Sequence, residues 1–464
     1  MAVESSPSPT PADDLTPIPP DENTPTETPA AEKTAPTGLN SSGPYAVFEG
    51  DQGIWISNPD GSFPTRIAEQ GTGSGEQDLR AALAPSGDRI AIVAAGKTGL
   101  DLVEIEIPGG QTRILSRLLN ITRAELRLNS LAPKAFAYYA ITDFANVAWQ
   151  PGDGSVLAYV GAKAGTTADM YTFDRTWEKI RHLEENPSQS INPIWSPDGR
   201  YLLFFGVTWL PPYGATLVTY ESMDGFWAVQ VSDNRIIPQP MPAGTHRNFI
   251  GWQDDAHYLI YDSGEECFGR NLRAVDVATG NTSPIADFCF SSRPAWSPAN
   301  GAILLSVDAE CDCSTGEGVF LYLPGQAASI KLLDKKAYEV HWLPESGMFY
   351  AYPDALISAD GSARFDPPLA GSSYHPAVSK SGHQAWEVVV EHRGRVMIQT
   401  PGGQWRAILE GNVGGMLWDP ISGDTLLIAL ENGALYAAAA PDFTPQMMGD
   451  LGGGIGQAAW ISTP

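Results

Sequence analysis

The sequence lacks a long apolar run. It contains no stretch of about 18 consecutive apolar residues, so the sequence predicts no transmembrane helix. Residues 1–20 also lack the charged-then-apolar pattern of a secretory signal peptide. If the protein is exported, we expect its signal to have been removed, and contact with a membrane to occur only through an anchor upstream of these residues.

Basic residues are scarce. The chain has 28 Lys and Arg against 54 Asp and Glu, which gives a formal net charge of -26. Phosphate binding needs clustered cations, so we do not expect nucleic acid as a partner. An acidic surface of this kind keeps an exported protein soluble and attracts basic partners or divalent cations.

Familiar catalytic motifs are also missing. The sequence contains no Gly-x-Ser-x-Gly elbow, no His-Glu-x-x-His and no phosphate-binding loop, and its seven His are scattered. The sequence therefore favours a binding protein over an enzyme.

The first 42 residues differ in composition from the rest. They are dominated by Pro, Thr, Glu, Ala and Ser and carry few large apolar side chains, so they cannot bury enough surface to offset the entropy of ordering. We interpret residues 1–42 as a disordered stalk that holds an extracellular domain away from a membrane or wall. Residues 43–464 are predicted to form one domain.

The most informative feature is a repeated corner. Trp195-Ser196-Pro197-Asp198-Gly199 is followed by an apolar run, and related corners recur at intervals of 36 to 66 residues. Seven of the 13 Trp occupy this register, and two corners carry another residue instead. The nine marker residues are Leu83, Trp149, Trp195, Trp252, Trp296, Trp342, Val378, Trp418 and Trp460.

Each corner has a physical explanation. Pro fixes φ, Asp bonds the local backbone and Gly accepts a positive φ, so the motif is a tight turn between two strands. The Trp at the end of the first strand is expected to fill the gap between adjacent twisted sheets. The chain between corners is long enough for four strands, which make one propeller blade.

The two ends of the domain complete each other. Residues 45–70 supply three strands, and residues 457–461 supply the innermost strand that this sheet lacks. The predicted fold is therefore all-β, a propeller of four-stranded antiparallel blades, closed by pairing of the N- and C-terminal strands. The repeat count gives nine blades, with eight as the alternative.

These Trp-Ser-Pro-Asp-Gly corners resemble those of the TolB-like propellers, a WD-like family common in bacterial envelope proteins. The resemblance covers residues 45 to 462 and concerns the fold more than the function. TolB itself has an additional N-terminal α/β domain, which the stalk replaces here, so the partner role of TolB does not carry over. The resemblance implies an interaction scaffold outside the cytoplasm.

Two insertions mark one face of the predicted propeller. Residues 116–146 join the fourth strand of one blade to the first strand of the next, whereas residues 206–224 join the second and third strands within a blade. Both kinds of connection emerge on the same face of a propeller. We call this the insertion face. Functional loops concentrate where a scaffold presents them. The candidate binding residues on this face are Arg123, Arg127, Trp209, Tyr213 and Tyr220.

A second candidate site is the mouth of the central channel. The residue three positions before each marker begins the innermost strand, and most of these residues are polar. They either contact a ligand or line a wetted pore. The candidates are Arg80, Asn146, Asn192, Arg293, Glu339, His375 and Gln457.

The four cysteines lie in two neighbouring blades. Cys267 and Cys311 each follow their marker Trp by 15 residues, and Cys289 and Cys313 belong to the same region. This arrangement predicts two disulfides of undetermined pairing, with a four-thiolate zinc site as the alternative. No cofactor is otherwise expected, although Asp308 to Asp312 alternates oxygen ligands that suit Ca²⁺.

We expect an exported, non-catalytic propeller that recognises a protein or glycan of the cell envelope through the insertion face. One alternative is an enzyme such as a lyase or glycosidase that acts in the channel, where Glu339, His341 and His375 lie. The other alternative is a structural unit of a surface assembly.

Overall fold

The structure is a computed structural model with side chains. It describes residues 38–40, 43–72, 77–128, 133–163, 167–183, 188–208, 223–264, 267–286, 289–309, 316–326, 328–369 and 372–461. The predicted stalk lies almost entirely outside these ranges. Within them, Leu39 packs against the domain core, and the Asn40 N–H donates to Asn58 Oδ1 at 2.9 Å.

Strands account for most of the regular structure. The elements of the first half, in chain order, are β1 (Tyr45–Gly50), β2 (Gly53–Ser57), β3 (Thr65–Ala68), α1 (Leu79–Ala82), β4 (Arg89–Ala95), β5 (Gly99–Glu106), β6 (Thr112–Asn120), α2 (Arg123–Leu128), α3 (Pro133–Thr142), β7 (Val147–Trp149), β8 (Val156–Gly161), β9 (Asp169–Asp174), β10 (Lys179–His182), β11 (Gln189–Trp195), β12 (Tyr201–Val207), β13 (Met223–Gln230) and β14 (Arg235–Pro238).

A short 3-10 helix, His246–Asn248, precedes the second half of the chain. The strands of this half are β15 (Phe249–Trp252), β16 (His257–Ser263), β17 (Gly269–Asp276), β18 (Thr282–Ala286), β19 (Ala295–Trp296), β20 (Ile303–Val307), β21 (Gly318–Tyr322), β22 (Ile330–Leu333), β23 (Glu339–Leu343), β24 (Met348–Tyr352), β25 (Ala355–Ser358), β26 (Arg364–Phe365), β27 (Ser373–Val378), β28 (Gln384–Val390), β29 (Arg393–Gln399), β30 (Arg406–Glu410), β31 (Val413–Trp418), β32 (Thr425–Leu430), β33 (Ala434–Ala439), β34 (Gln446–Asp450) and β35 (Gln457–Ile461).

These strands form nine antiparallel sheets arranged in a ring, so the nine-bladed propeller is confirmed and the eight-bladed alternative is wrong. Blade 1 has the order β3-β2-β1-β35, and β35 pairs with β1 from Tyr45↔Ile461 to Glu49↔Gln457. The predicted closure by the two ends of the domain is therefore confirmed. Blade 2 contains β4 to β6, and blades 3 to 9 follow in groups of four from β7–β10 to β31–β34.

Blade 2 departs from the common pattern at its innermost position. Its sheet has three strands, and the place of the fourth is taken by α1 and an isolated bridge between Leu83 and Ile90. Helix α1 lies between β35 of blade 1 and β7 of blade 3. Asp78 caps this helix, because its Oδ1 accepts the Arg80 N–H at 2.8 Å.

The corner between β11 and β12 shows why the repeated motif turns the chain. Gly199 has a φ of +70°, and its N–H donates to the Ser196 carbonyl at 2.8 Å. Asp198 Oδ1 accepts the Ser196 hydroxyl at 2.8 Å and the Arg200 N–H at 3.0 Å. Asp198 and Gly199 thus have the roles that the sequence predicts.

Apolar cores lie between neighbouring blades. Trp149 and Trp195 are buried, and each indole N–H donates to a backbone carbonyl of the preceding blade. The Trp149 indole donates to the Ala82 carbonyl at 2.8 Å, and the Trp195 indole donates to the Ala148 carbonyl at 2.9 Å. The predicted position of the marker Trp between adjacent sheets is therefore confirmed for these two blades. Blade 9 and blade 1 share a core that includes Phe48, which is fully buried.

The connection between blades 2 and 3 contains α2 and α3. Strand β6 continues to Asn120, so this connection begins later than the predicted residue 116. Helix α3 buries Ala137 and Ile141 and packs against β8 and β11. Most of the other predicted insertion, at 206–224, lies outside the described residues. In the described ranges no helix has the length and apolar character needed to cross a membrane.

The closing strand supplies the first testable prediction. Ala459 in β35 is fully buried, so Ala459→Asp places a carboxylate without a partner in the core of blade 1. We expect this substitution to lower the free energy of unfolding by roughly 3 kcal/mol or more. Urea denaturation followed by Trp fluorescence measures the change.

The matched control is Ala439→Asp, because Ala439 is exposed at the end of β33. We expect a change within about 0.5 kcal/mol there. Equal effects of the two substitutions would contradict the pairing of β35 with β1.

Candidate functional site

The predicted channel residues all lie in or beside innermost elements of their blades, but they do not form one cluster. On the side of blades 1 to 3, polar groups satisfy the backbone of α1. Gln457 Oε1 accepts the Leu79 N–H at 2.8 Å, and Gln457 Nε2 donates to the Gln77 carbonyl at 3.0 Å. Asn146 is fully buried, and its Nδ2 donates to the Ile141 carbonyl at 2.8 Å. Gln457 and Asn146 therefore hold the fold together here.

Arg80 makes a bond that crosses the channel. Its Nη2 lies 2.7 Å from Glu345 Oε1, and its Nε lies 3.1 Å from the same oxygen. Arg80 belongs to blade 2 and Glu345 to the corner of blade 7, which are not neighbours in the ring. Both side chains are about a third exposed, so the pair contributes little to stability. The Arg80–Glu345 pair nevertheless places a guanidinium and a carboxylate inside the channel.

Asn192 and Arg293 have separate surroundings. Asn192 lies at a β-bulge in blade 4 with a φ of +53°, and its N–H donates to the Ala145 carbonyl at 3.1 Å. Arg293 Nη2 donates to the Phe249 carbonyl of the neighbouring blade at 2.9 Å. Both residues thus link adjacent blades.

Glu339 begins β23 of blade 7, whereas His375 is the third residue of β27 in the adjacent blade 8. Glu339 Oε2 lies 2.9 Å from His341 Nε2 on the same strand. His375 lies at a β-bulge with a φ of +43°, and its Nδ1 lies 2.8 Å from Glu387 Oε2. The Glu387 carboxylate is buried and also accepts the Val413 N–H at 3.0 Å, so it orients the half-exposed imidazole of His375.

Four tyrosines lie near these two residues, one just before β23, two on β24 and one on β27, and we call Tyr338, Tyr350, Tyr352 and Tyr374 the tyrosine cluster. The Tyr352 ring centroid lies 5.5 Å from that of Tyr374 and 6.2 Å from that of Tyr338. Tyr350 is buried, and its hydroxyl donates to the Ser373 carbonyl at 2.7 Å, which joins blade 7 to blade 8. Tyr338 is 70% exposed, so the cluster runs from the core to the surface.

The phenols of Tyr350 and Tyr352 stay protonated at physiological pH. The hydrogen bond with Tyr374, followed by burial and the nearby Glu339 carboxylate, raises the pKa of Tyr352 to about 12. Burial also raises the pKa of Tyr350 above its usual range. Both hydroxyls are therefore hydrogen-bond donors under ordinary conditions.

A crevice opens at the same junction, farther from the channel. Its volume is about 900 Å³, and Val388 and Met397 line it together with the exposed Leu369 and Val390. We call it the 7–8 crevice. The buried apolar core shared by these blades consists of Met348, Tyr350, Leu356 and Trp386, which is the smallest such cluster among the described residues. The smallest of the buried clusters and the crevice thus occur at the same junction.

The turn beside the crevice is strained. Val390 pairs with Arg393, so Glu391 and His392 form a two-residue hairpin turn, with φ values of +51° and +64°. A turn with two positive φ values favours Asn and Gly, whereas Glu and His are unfavourable there. Such strain persists mainly where side chains have a function. Glu391, His392 and Arg393 all line the 7–8 crevice.

The other predicted residues of the insertion face are only partly described. Arg123 and Arg127 lie on α2 with exposed side chains. Trp209, Tyr213 and Tyr220 lie outside the described residues. The 7–8 crevice and the tyrosine cluster lie on the same face, because they are bordered by connections from second to third and from fourth to first strands.

The cysteines and the predicted calcium loop are partly described. Cys267 and Cys289 both take part in disulfide bonds, whereas Cys311 and Cys313 lie outside the described residues. Asp308 lies next to Lys336 Nζ, with which it forms an ion pair, while residues 310–312 are not described. Within the described ranges, no group of three or more His, Cys, Asp or Glu has the arrangement of a metal site.

Sequence reasoning identified Glu339 and His375 but missed the tyrosines. Tyr338 lies one residue before the channel position, and Tyr374 lies one residue before His375. Two Tyr at equivalent positions of consecutive repeats were the available signal. The 7–8 crevice had a weaker signal, because Glu391-His392 between two apolar strands lacks the usual turn residues.

Comparisons with known proteins identify the fold. The chain is similar to a solved structure of a eukaryotic initiation factor, at 14% identity and a TM-score of 0.53, over 92% of this chain and 100% of that one. It is also similar to TolB from Acinetobacter baumannii, at 14% identity and a TM-score of 0.30, over 80% of this chain and 82% of that one.

A third solved structure is an oligogalacturonate lyase in complex with manganese, at 10% identity and a TM-score of 0.35, over 88% of this chain and 84% of that one. No protein-family model and no curated protein sequence matches the chain. The propeller fold that the resemblance to TolB-like proteins implied is confirmed by the nine blades of the ring.

The strained turn supplies the second testable prediction. His392→Gly relieves a positive φ, so we expect it to raise the free energy of unfolding by roughly 0.5–1 kcal/mol. Urea denaturation measures the change. Lys97→Gly is the control, because Lys97 is exposed and has no positive φ, and there Gly should be neutral or destabilising. Destabilisation by His392→Gly would show that the turn is not strained.

Proposed function

We propose that this protein is an exported, non-catalytic propeller that binds a partner protein through its insertion face, at the junction of blades 7 and 8. The observation that carries the proposal is the tyrosine cluster, which begins in the core at Tyr350 and ends at Tyr338, 70% exposed. Tyr presents a large rigid surface with a polar end, and it is enriched where proteins recognise each other.

The breadth of the surface favours a protein over a single sugar ring. Exposed apolar groups at Leu369 and Val390 lie at the 7–8 crevice, outside the tyrosine cluster. Arg393 and Arg395 border the same crevice, and Arg is a frequent anchor at protein interfaces. A partner that covers both the cluster and the crevice would bury aromatic, aliphatic and cationic groups together.

The proposal that the protein is exported is supported by its cysteines. Cys267 and Cys289 are disulfide-bonded, and disulfides persist mainly in oxidising compartments. The acidic composition, with a formal charge of -26, also suits a soluble exported protein.

The second candidate is an enzyme that acts at the channel. It is favoured by His375, whose imidazole is oriented by the buried Glu387 carboxylate at 2.8 Å, an arrangement that general acid–base catalysis uses. Incubation of candidate glycans with the wild type and with His375→Ala separates the two functions. Turnover that His375→Ala abolishes would replace the binding proposal.

The third testable prediction concerns the partner. A photo-crosslinking amino acid at Tyr338 should capture one protein from the envelope fraction of the producing cell, and the same group at Ile421 should not. Ile421 is a matched control, since it is 71% exposed in the corner of blade 9 on the opposite face. Capture from both positions, or from neither, would contradict the proposed surface.

The captured protein then permits a quantitative test. Tyr338→Ala and Tyr374→Ala should each weaken its binding at least tenfold, which is about 1.4 kcal/mol, because aromatic anchors dominate interfaces. Ile421→Ala should leave the Kd unchanged. Isothermal titration calorimetry with the purified partner gives both values.

The fourth testable prediction concerns the disulfides. The native protein should not react with a thiol reagent, and it should release four thiols after reduction in denaturant. Peptide mapping without reduction should place Cys267 and Cys289 in cross-linked peptides. Thiols that react in the folded protein would contradict the proposed oxidising location.

A further inference from the structure

A single tryptophan stands out on the face opposite to the insertion face. Trp177 is 77% exposed, the highest value for any large apolar side chain in the described part of the chain. It lies in the turn between β9 and β10 of blade 3, outside the register of the marker residues. Its flat apolar ring is therefore available for contact with a ligand.

The turn that carries Trp177 is held in place on both sides. Asp174 Oδ1 accepts the N–H of Thr176 at 2.9 Å and the N–H of Trp177 at 3.2 Å. Two ion pairs tie the turn to blade 2, Arg175 Nε to Glu104 Oε2 at 2.9 Å and Arg113 Nη2 to Glu178 Oε1 at 2.8 Å. The indole is therefore presented by a preorganised turn, which lowers the entropic cost of binding.

Trp177 forms one wall of a groove between blades 3 and 4, with a volume of about 510 Å³. The opposite wall comes from the β13–β14 turn and includes Val231 and Ser232. Arg181 connects the two blades, because its Nη1 donates to Asn234 Oδ1 at 2.9 Å and to the Val231 carbonyl at 3.3 Å. We call this space the Trp177 groove.

The charge of the groove is unusual for this chain. Lys179 and Arg181 line it, and Lys179 makes no ion pair with the described residues. The one carboxylate in the lining belongs to Asp174, and it is engaged by the backbone of the turn. A chain with a formal charge of -26 thus presents a locally cationic groove beside Trp177, the most exposed aromatic ring among the described residues.

The combination suits a sugar ring better than an apolar chain. A pyranose has one apolar C–H face, which stacks on a flat aromatic ring, and an edge of hydroxyls that needs hydrogen-bond partners. Trp177 offers the flat face, while Thr172, Ser232 and Lys179 offer polar groups within the same groove. An apolar side chain would leave these polar groups without partners, which is costly.

We propose that the Trp177 groove is a saccharide-binding site, in which a sugar ring stacks on the Trp177 indole and a carboxylate of the sugar lies against Lys179 and Arg181. The site is separate from the surface at blades 7 and 8 and does not depend on the proposed function. Occupation of one site leaves the other accessible, since they lie on opposite faces.

Calorimetry on the full chain tests this site with two probes, the anionic hyaluronan tetrasaccharide and the neutral maltotetraose. We expect the wild type to bind the anionic probe more tightly than the neutral one, with the difference shrinking between 50 mM and 500 mM NaCl. Trp177→Ala should lose at least tenfold in affinity, whereas Trp177→Phe should retain part of it. Lys179→Gln should reduce binding of the anionic probe alone.

Three controls keep the outcome clear. Ile421→Ala removes an apolar group of similar exposure on the same face, and Lys97→Gln removes a charge elsewhere, so neither should change the affinity. Tyr338→Ala should also bind the saccharide normally, which separates this site from the proposed partner surface. Absence of binding, or equal binding by Trp177→Ala and the wild type, would overturn the site. Equal affinity for both probes would overturn the role of the carboxylate.

Discussion

The pairing of β35 with β1 is the interaction on which the rest of the structure depends. Five residue pairs, from Tyr45↔Ile461 to Glu49↔Gln457, connect the two ends of the domain. Without them, the ring would expose strand edges in blade 1, and such edges recruit other chains. Gln457 then connects the closing strand to α1, so the same strand also stabilises the irregular blade 2.

Closure fixes the positions of all other blades, and the ring therefore tolerates weaker packing at one junction. Blades 7 and 8 share a small apolar core, and polar contacts supplement it. The Tyr350 hydroxyl reaches the Ser373 carbonyl, and Glu387 links His375 to Val413. A junction held by such groups has free surface to offer a partner, whereas tightly packed junctions do not. Blades 3 and 4 share an apolar core, and at the Trp177 groove Arg181 also connects them through hydrogen bonds.

The fold was predictable from sequence because the corner is a local structure. Pro, Asp and Gly at fixed spacing determine a turn irrespective of the rest of the chain, and the marker Trp identifies its partner sheet. The corner at Leu83 was correctly counted, yet nothing local showed that α1 would replace the strand before it. That replacement depends on hydrogen bonds from Gln457 to Leu79 and Gln77, which lie 378 and 380 residues before it in the sequence.

The candidate site was predictable only in part, because the role of each side chain depends on contacts between residues that are distant in sequence. The channel register selected Glu339 and His375, but it also selected Asn146 and Gln457, whose side chains bond the backbone of their surroundings. Exposure decides between these roles, and exposure is a property of the assembled ring. Trp177 was not identified because it lies outside the register, and the Arg80–Glu345 pair was not identified because it joins blades that are distant in sequence.

Amide hydrogen exchange at the two ends of the domain tests the central claim most directly. If β35 completes blade 1, the amides of residues 45–50 and 457–461 should exchange only through global unfolding, at one common free energy of opening that matches urea denaturation. Rapid exchange of residues 457–461 while residues 45–50 stay protected, or of both segments while the other blades stay protected, would show that the ring is not closed in this way.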